Sequence, residues 1–406
     1  MDFEVRAIDA AELPAFARAD AAGFGEDAAQ FEKLQGLWLA EDLERTRAAF
    51  EGDVIVGTSR NYSFELTLPG GAQIPAAGVS AVAVLPTHTR KGILRSMMAA
   101  LLDETRAQGE AVSMLTASQG GIYQRFGFGV STFGQSIDID VRAAEFAAPR
   151  PVGSTRLVEP DVLRKHAPLV FDAVRKEAPG AISRSPAWWI DLQFDRRTEQ
   201  PRFDVLWESA DGAVDGFATY SIKPDWGHDP AHVLRVHDFV GRTPDAVHAL
   251  WRYLCEVDLV ATVRDLKTNV DSALPWLLTS ARAVHTTAVG DDVWTRVLDV
   301  PAALGARTYA SAGRVVLEVH DPSYPGGAAD GVFAVDGGPA GATVERTTDD
   351  AGLVCDIAAL SAAWLGGVRW STLAAAGLVD ERTPGALATA DAMFASTPLP
   401  FGYTWF

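Results

Sequence analysis

Cysteine is nearly absent from this 406-residue chain: Cys255 and Cys355 stand far apart, each inside an apolar run. That excludes a disulfide framework and marks both as buried thiols of a cytoplasmic protein. No run of about 18 apolar residues occurs, so no membrane span is expected. The opening Met1-Asp2-Phe3-Glu4-Val5-Arg6 has neither a basic region nor an apolar run, so a secretory signal is not expected. Basic residues are short: 35 Lys+Arg face 53 Asp+Glu, a net charge of −18. Such a surface repels a phosphate backbone, which argues against nucleic-acid binding by the whole molecule. The charge either serves solubility alone or draws cationic small molecules. No Gly-x-Ser-x-Gly elbow and no Cys-x-x-Cys occur, leaving hydrolase and zinc readings without support. His228, His232 and His237 are loosely spaced, with Pro230 between the first two, so no metal is expected.

What is present is ordinary globular material, 48% hydrophobic and 22% charged. At about 100–200 residues per domain the length predicts two to four domains. The first segment reads as a helix over 11–24, strands over 45–50 and 54–68 around a Glu51-Gly52-Asp53 turn, and a buried strand over 79–84. A long helix follows over 93–108, its Ile93, Leu94, Met97, Met98, Leu101 and Leu102 at helical spacing, with Gly109 as its stop. Strands over 112–117 and 130–141 follow, with a short helix or turn at 120–126 between them. After the linker Ala147-Ala148-Pro149-Arg150-Pro151 the order repeats. A helix over 161–177, with Pro168 as a kink candidate, precedes strands over 203–207, 215–222 and 233–240, a helix over 244–256 and a strand over 259–263. A third segment carries short strands and Gly/Pro-rich turns and ends in the aromatic tail 398–406. The expected domains are 1–146, 147–295 and 296–406.

The strongest chemical signal is Val82-Ala-Val-Leu-Pro-Thr-His-Thr-Arg-Lys-Gly-Ile-Leu-Arg95. A buried strand ends, a short basic loop follows, and a long helix starts near Gly92. Free N–H groups and the helix dipole favour an anion there, and Arg90, Lys91 and Arg95 add positive charge. In an acidic chain this points to a phosphate-bearing ligand; the plainer reading is an ordinary loop with solvated charges. The second copy lacks the Gly-rich turn and has Val240-Gly-Arg-Thr-Pro244 instead, which suggests a duplication with one degenerate half.

Strands, loop, helix, strand and then Gly120-Gly-Ile-Tyr-Gln-Arg-Phe-Gly-Phe-Gly129 resemble the GCN5-related N-acetyltransferase superfamily. Its loop pattern, Gln/Arg-x-x-Gly-x-Gly/Ala, meets Thr89-Arg90-Lys91-Gly92-Ile93-Leu94 here, with departures at Thr89 and Leu94. Pro86–Met98, Ser118–Phe128, Ser183-Arg-Ser-Pro-Ala-Trp-Trp189 and the terminal Phe406 are similar to the Eis (enhanced intracellular survival) family over essentially the whole chain. The resemblance implies an α/β (α+β) class. Two tandem GCN5-related acetyltransferase folds, each a mixed sheet flanked by helices, precede a sterol-carrier-protein-like α+β domain.

It also implies acetyl-CoA as co-substrate, held by Val82, Ala83, Val84, Arg90, Lys91, Gly92, Ile93, Leu94, Arg95, Ser118 and Gln119. Tyr123 is the implied general acid, its alternative being a core tyrosine. The terminal carboxylate of Phe406 is the implied general base, its alternative being simple packing of the tail. Phe24, Glu26, Trp38 and Trp405 are candidates for the amine pocket; Glu26 alone also reads as a solvated carboxylate. Trp405 stands where related enzymes often carry an acid, which removes one cation partner. The resemblance implies acceptors that are primary amines, of aminoglycosides or of polyamine- or lysine-like molecules, and a homohexamer. The competing readings are a lipid- or small-molecule-binding protein with a decayed acetyltransferase part, and an acetyltransferase for protein lysines.

Overall fold

The computed structural model describes residues 3–26, 42–190 and 200–406. Among the described residues three mixed sheets form. The first takes β1 (Glu4–Ala7), β2 (Thr46–Glu51), β3 (Val54–Thr67), β4 (Gln73–Val84), β5 (Val112–Thr116) and β6 (Gly129–Val130). Helix α1 (Leu13–Phe24) packs on β3 and β4, and α2 (Ile93–Ala107) on β2, β3 and β4. The α2 stripe read from the sequence is the buried one: Ile93, Met97, Met98, Leu101 and Leu102 are all inside, and Leu94 packs partly against the core. Gly52, at φ 62°, makes the β2–β3 turn.

The second sheet is built from β7 (Phe133–Asp140), β8 (Gly153–Val158), β9 (Arg202–Ser209), β10 (Val214–Lys223), β11 (His232–Gly241), β12 (Val260–Asn269) and β13 (Val284–Asp291), in the order β13-β7-β12-β11-β10-β9-β8. Helices α3 (Pro160–Arg175) and α4 (Pro244–Cys255) cover it, and α3 runs on through Pro168. Its core holds Trp207, Tyr220, Leu250, Trp251 and Leu254. Cys255 and Cys355 are both buried.

Two sequence expectations change here. Residues 130–141 do not form one strand: Ser131 and Thr132 both donate their N–H to the Val293 carbonyl, which ends β6 and lets β7 begin in the other sheet. Conversely, β14 (Val293–Val297) inserts between β5 and β6, so the first sheet runs β1-β2-β3-β4-β5-β14-β6. Strands are thus exchanged across the expected limits at 146 and 295. The compact units follow the sheets: 1–132 with 178–183 and 291–406 in one, 133–177 with 184–290 in the other.

The third sheet belongs to the first unit. Helix α5 (Val300–Gly305) leads into β15 (Gly313–His320), β16 (Gly331–Gly338), β17 (Gly341–Arg346), β18 (Leu353–Asp356) and β19 (Val379–Glu381). Helices α6 (Ile357–Ala363), α7 (Trp370–Ala375) and α8 (Ala386–Phe394) complete it. It is fastened to the first sheet by buried polar bonds. Ser131 Oγ donates to the Ser361 carbonyl at 2.7 Å, and Arg296 meets Asp321 at 2.6 Å with both side chains buried. This attachment fixes where the C-terminal tail emerges.

Candidate active site

Two adjacent strands of the first sheet part company. β4 and β5 run parallel but pair only at Ala77–Ser113 and Gly78–Met114. Beyond Gly78 the β5-facing edge of β4 has no ladder partner among the described residues, so its N–H and C=O groups are available to a ligand. The β4 backbone is also bent there. Its register with β3 shifts between Thr58 and Arg60, leaving Ala81 and Val82 opposite Ser59 alone. Ala81 adopts φ 50°, a left-handed conformation costing an alanine about 1–2 kcal/mol. A bulge at an open strand edge is a device for aiming backbone groups. The bulge at Ala81 was not legible beforehand, because an alanine in a β-rich run carries no turn signal.

At the far end of β4 a tight turn at Pro86–His88 leads to Arg90 (φ 64°), Lys91 and Gly92 (φ 88°). α2 then starts without a side-chain cap, and its first bond runs from Ser96 N–H to the Gly92 carbonyl. The preceding N–H groups have no intrahelical acceptor and face the exposed Arg90, Lys91 and Arg95. Val82, Ala83 and Val84 lie on the open edge of β4, and Ile93 and Leu94 at the start of α2, Ile93 with its side chain buried in the core. Ser118 and Gln119 lie exposed just past β5.

Tyr123 sits in the short turns after β5, almost wholly buried, in a core shared with Val79, Leu115, Phe128 and Trp294. Its ring meets Phe128 edge-on at 6.2 Å. Burial pushes its phenol above the ordinary tyrosine range, and among the described residues the hydroxyl has no hydrogen-bond partner.

The tail reaches the same place. Phe401 N–H donates to the Pro179 carbonyl and Gly402 N–H to Asp292 Oδ2, while Phe401 and Thr404 are buried. The chain ends with the Phe406 carboxylate accepting from Thr116 Oγ1, at the end of β5, at 2.8 Å. The Phe406 ring packs edge-on to Phe64 at 5.1 Å. Both rings lie over Gly78, where a Cβ would run into Phe64. Thr116, Phe64 and Gly78 escaped the sequence reading, since only tertiary contact joins them to residue 406.

The amine-pocket candidates are less gathered. Gly23 presses on Ala83, which seats the last turn of α1 on β4, and Phe24 and Glu26 follow exposed at that helix end. Trp405 is exposed, and Trp38 lies outside the described residues. One carboxyl group was missed: Asp20, one turn before Phe24, is buried and accepts from Thr58 Oγ1 at 3.1 Å. Burial raises it to about 7, against a smaller opposing effect of the Thr58 bond. Nothing in its sequence context separated it from a solvated helix acid.

Known proteins match along the whole chain. Residues 4–131 and 180–297 each match an acetyltransferase (GNAT) domain, and 300–402 match a sterol carrier protein domain. A Streptomyces avermitilis protein named as an uncharacterized N-acetyltransferase is 36% identical, covering 98% of both chains. The N-acetyltransferase Eis of Mycobacterium tuberculosis is 35% identical over 85% of this chain and 84% of its own. The crystal structure of Eis1 from Mycobacterium abscessus superposes with a TM-score of 0.85 at 31% identity, covering both chains fully.

Parted strands, bulge and uncapped helix thus belong to a GCN5-related N-acetyltransferase. Within that class the chain belongs to the Eis family, with its two acetyltransferase domains and a C-terminal domain resembling sterol carrier protein.

Proposed function

We propose that this protein transfers the acetyl group of acetyl-CoA to primary amines of small cationic acceptors. The observation that carries this reading is the terminal carboxylate of Phe406 held by Thr116 where β4 and β5 part. The residues fit acetyl-CoA: the α2 N-terminus with Arg90, Lys91 and Arg95 suits the diphosphate, and the free β4 edge at Val82–Val84 suits the pantetheine amides. The amine nitrogen attacks the thioester carbon, and a β4 N–H steadies the oxyanion. The C–S bond breaks, the CoA thiolate takes the Tyr123 phenol proton, and the surplus ammonium proton goes to the Phe406 carboxylate, directly or through a water. A phenol raised by burial stays protonated through neutral pH, as a donor must.

Aminoglycosides, polyamines and lysine-like amines are the proposed acceptors, supported by the family and by the acidic surface. A homohexamer is the proposed assembly and the cytoplasm the proposed compartment. Among the described residues no helix is long and apolar enough to cross a membrane.

The test is thiol release from acetyl-CoA against aminoglycosides, polyamines and lysine peptides. Deleting Phe406, or extending the chain past it, is expected to cost about 10²–10⁴ in kcat, the usual worth of a positioned acid or base. Full activity in both tail variants would remove the terminal carboxylate from the mechanism. No turnover with any amine would overturn the acceptor class.

A further inference from the structure

The loop between β4 and α2 is exposed at Pro86, Thr87, Thr89, Arg90, Lys91 and Gly92. His88 is different. Its side chain is only 18% exposed, and both ring nitrogens are engaged. Nδ1 meets Thr87 Oγ1 at 2.8 Å, and Nε2 meets Glu51 Oε2 at 3.0 Å. Glu51 is the last residue of β2, beside the Gly52 turn, so the bond ties the loop to the rigid β2–β3 hairpin. Two partners at fixed distances leave the imidazole a single orientation: the threonine hydroxyl donates to Nδ1 and Nε2–H donates to the carboxylate, or an imidazolium donates to both.

The contact also has an electrostatic side. Glu51 is 43% exposed and close enough to Lys91 to feel its charge. The hydrogen bond from His88, followed by weaker attraction from His88 and Lys91, holds Glu51 below the usual carboxylate range.

We propose that His88 is a positioning residue for the diphosphate of acetyl-CoA, bracing the anion loop on Glu51. The inference rests on the reading that this loop binds acetyl-CoA. His88 touches no reacting atom, so its loss acts on binding rather than on chemistry.

The experiment is a double-mutant cycle on the full-length protein. It is read by KM for acetyl-CoA, by kcat, and by direct calorimetric titration with CoA. His88→Ala is expected to raise KM and Kd about tenfold, equivalent to about 1.4 kcal/mol, with kcat within about twofold of wild type. In a Glu51→Gln background the same substitution is expected to cost only about threefold, because the charge-assisted brace is already lost. His88→Gln, which still donates to Glu51, falls between wild type and His88→Ala and covers the case that alanine disturbs folding. A role in packing alone would give no such coupling. Unchanged KM and Kd in His88→Ala, or an equal cost in both backgrounds, would overturn the proposal. Wild-type protein that binds neither CoA nor acetyl-CoA would instead fell the loop reading, and this inference with it.

Discussion

The molecule contains the same fold twice, and the two copies treat their central strand pair differently. In the first, β4 and β5 pair at two positions and then separate. In the second, the corresponding β11 and β12 pair over five, from His232–Val260 to Val236–Asp265, before β11 runs on to Gly241 without a β12 partner. Past the last pair, Arg184 bonds Asp238 of β11 at 2.7 Å and lies over Phe171 at 3.9 Å. The helix starts differ as well. α2 begins uncapped after Gly92 among basic residues, whereas α4 begins at Pro244 with Thr243 Oγ1 accepting the Ala246 N–H and Asp245 in its first turn. One helix start invites an anion; the other has its donor satisfied and its dipole already answered by an acid. A fold of this kind supplies only the opportunity for a ligand; a cap, one ion pair and a few ladder bonds decide whether it is used.

The largest effect expected in the first copy comes from Tyr123→Phe. It should lower kcat by about 10²–10⁴ while leaving acetyl-CoA affinity unchanged, since the ring packing survives and only the proton donor goes. Stopped-flow chemistry and a CoA titration check both halves, and undiminished turnover would remove Tyr123 from the reaction. Gly78→Ala probes the tail from beneath: the new methyl must displace Phe64 and with it Phe406, so kcat should fall while the Thr116 side of the site is untouched.

Next in size is Arg184→Ala in the other copy. It leaves Asp238 buried without its guanidinium and is expected to cost about 3–5 kcal/mol of stability. Urea denaturation measures this, and kcat of the protein that remains folded should be unchanged. A fall in kcat without a fall in stability would mean that the second copy takes part in the chemistry.

Much of this contrast was legible in the sequence. Gly92 against Thr243-Pro244-Asp245 is a difference of capping chemistry, visible in the residues themselves. The α2 stripe, the β2–β3 turn and the aromatic tail could be read because each is a local pattern. The exchange of β7 and β14 could not, because strand partners are chosen by non-local pairing that neither segment signals in its own residues. Nor could the bulge at Ala81, the Thr116–Phe406 bond or the burial of Asp20, all of which depend on what the fold brings alongside. Phe24 and Glu26, read from the sequence as amine-pocket candidates, lie exposed at the end of α1, while Trp38 lies outside the described residues.

Each copy also buries one carboxyl group raised to about 7, Asp20 in the first and Asp265 in the second, both chiefly by burial. The folded form binds these protons more tightly than the unfolded chain, whose aspartates titrate near 3.9. Stability from each group is therefore full below about pH 4, falls as pH rises towards 7 and is level above it. Asp20→Asn can still accept from Thr58, and Asp265→Asn can still accept from the Lys267 N–H. Each variant should flatten that slope and gain about 2 kcal/mol at pH 8, measured as urea midpoints across pH.

The smallest predicted effect is the sharpest test of why the copies differ. Lys91→Asp gives the first copy an acid at its helix start, as the second has at Asp245, and should raise KM for acetyl-CoA about tenfold at low salt with kcat unchanged. The reverse change, Thr243→Gly with Asp245→Lys, frees and recharges the α4 start. It should nevertheless create no second site, because the Arg184–Asp238 ion pair still stands on β11 just past its last pairing with β12. Calorimetry should find the same stoichiometry of CoA per chain before and after. A doubled stoichiometry would show that the helix start alone decides binding. An unchanged one, with the tenfold loss in Lys91→Asp, would show that an anion site needs more than an open helix end.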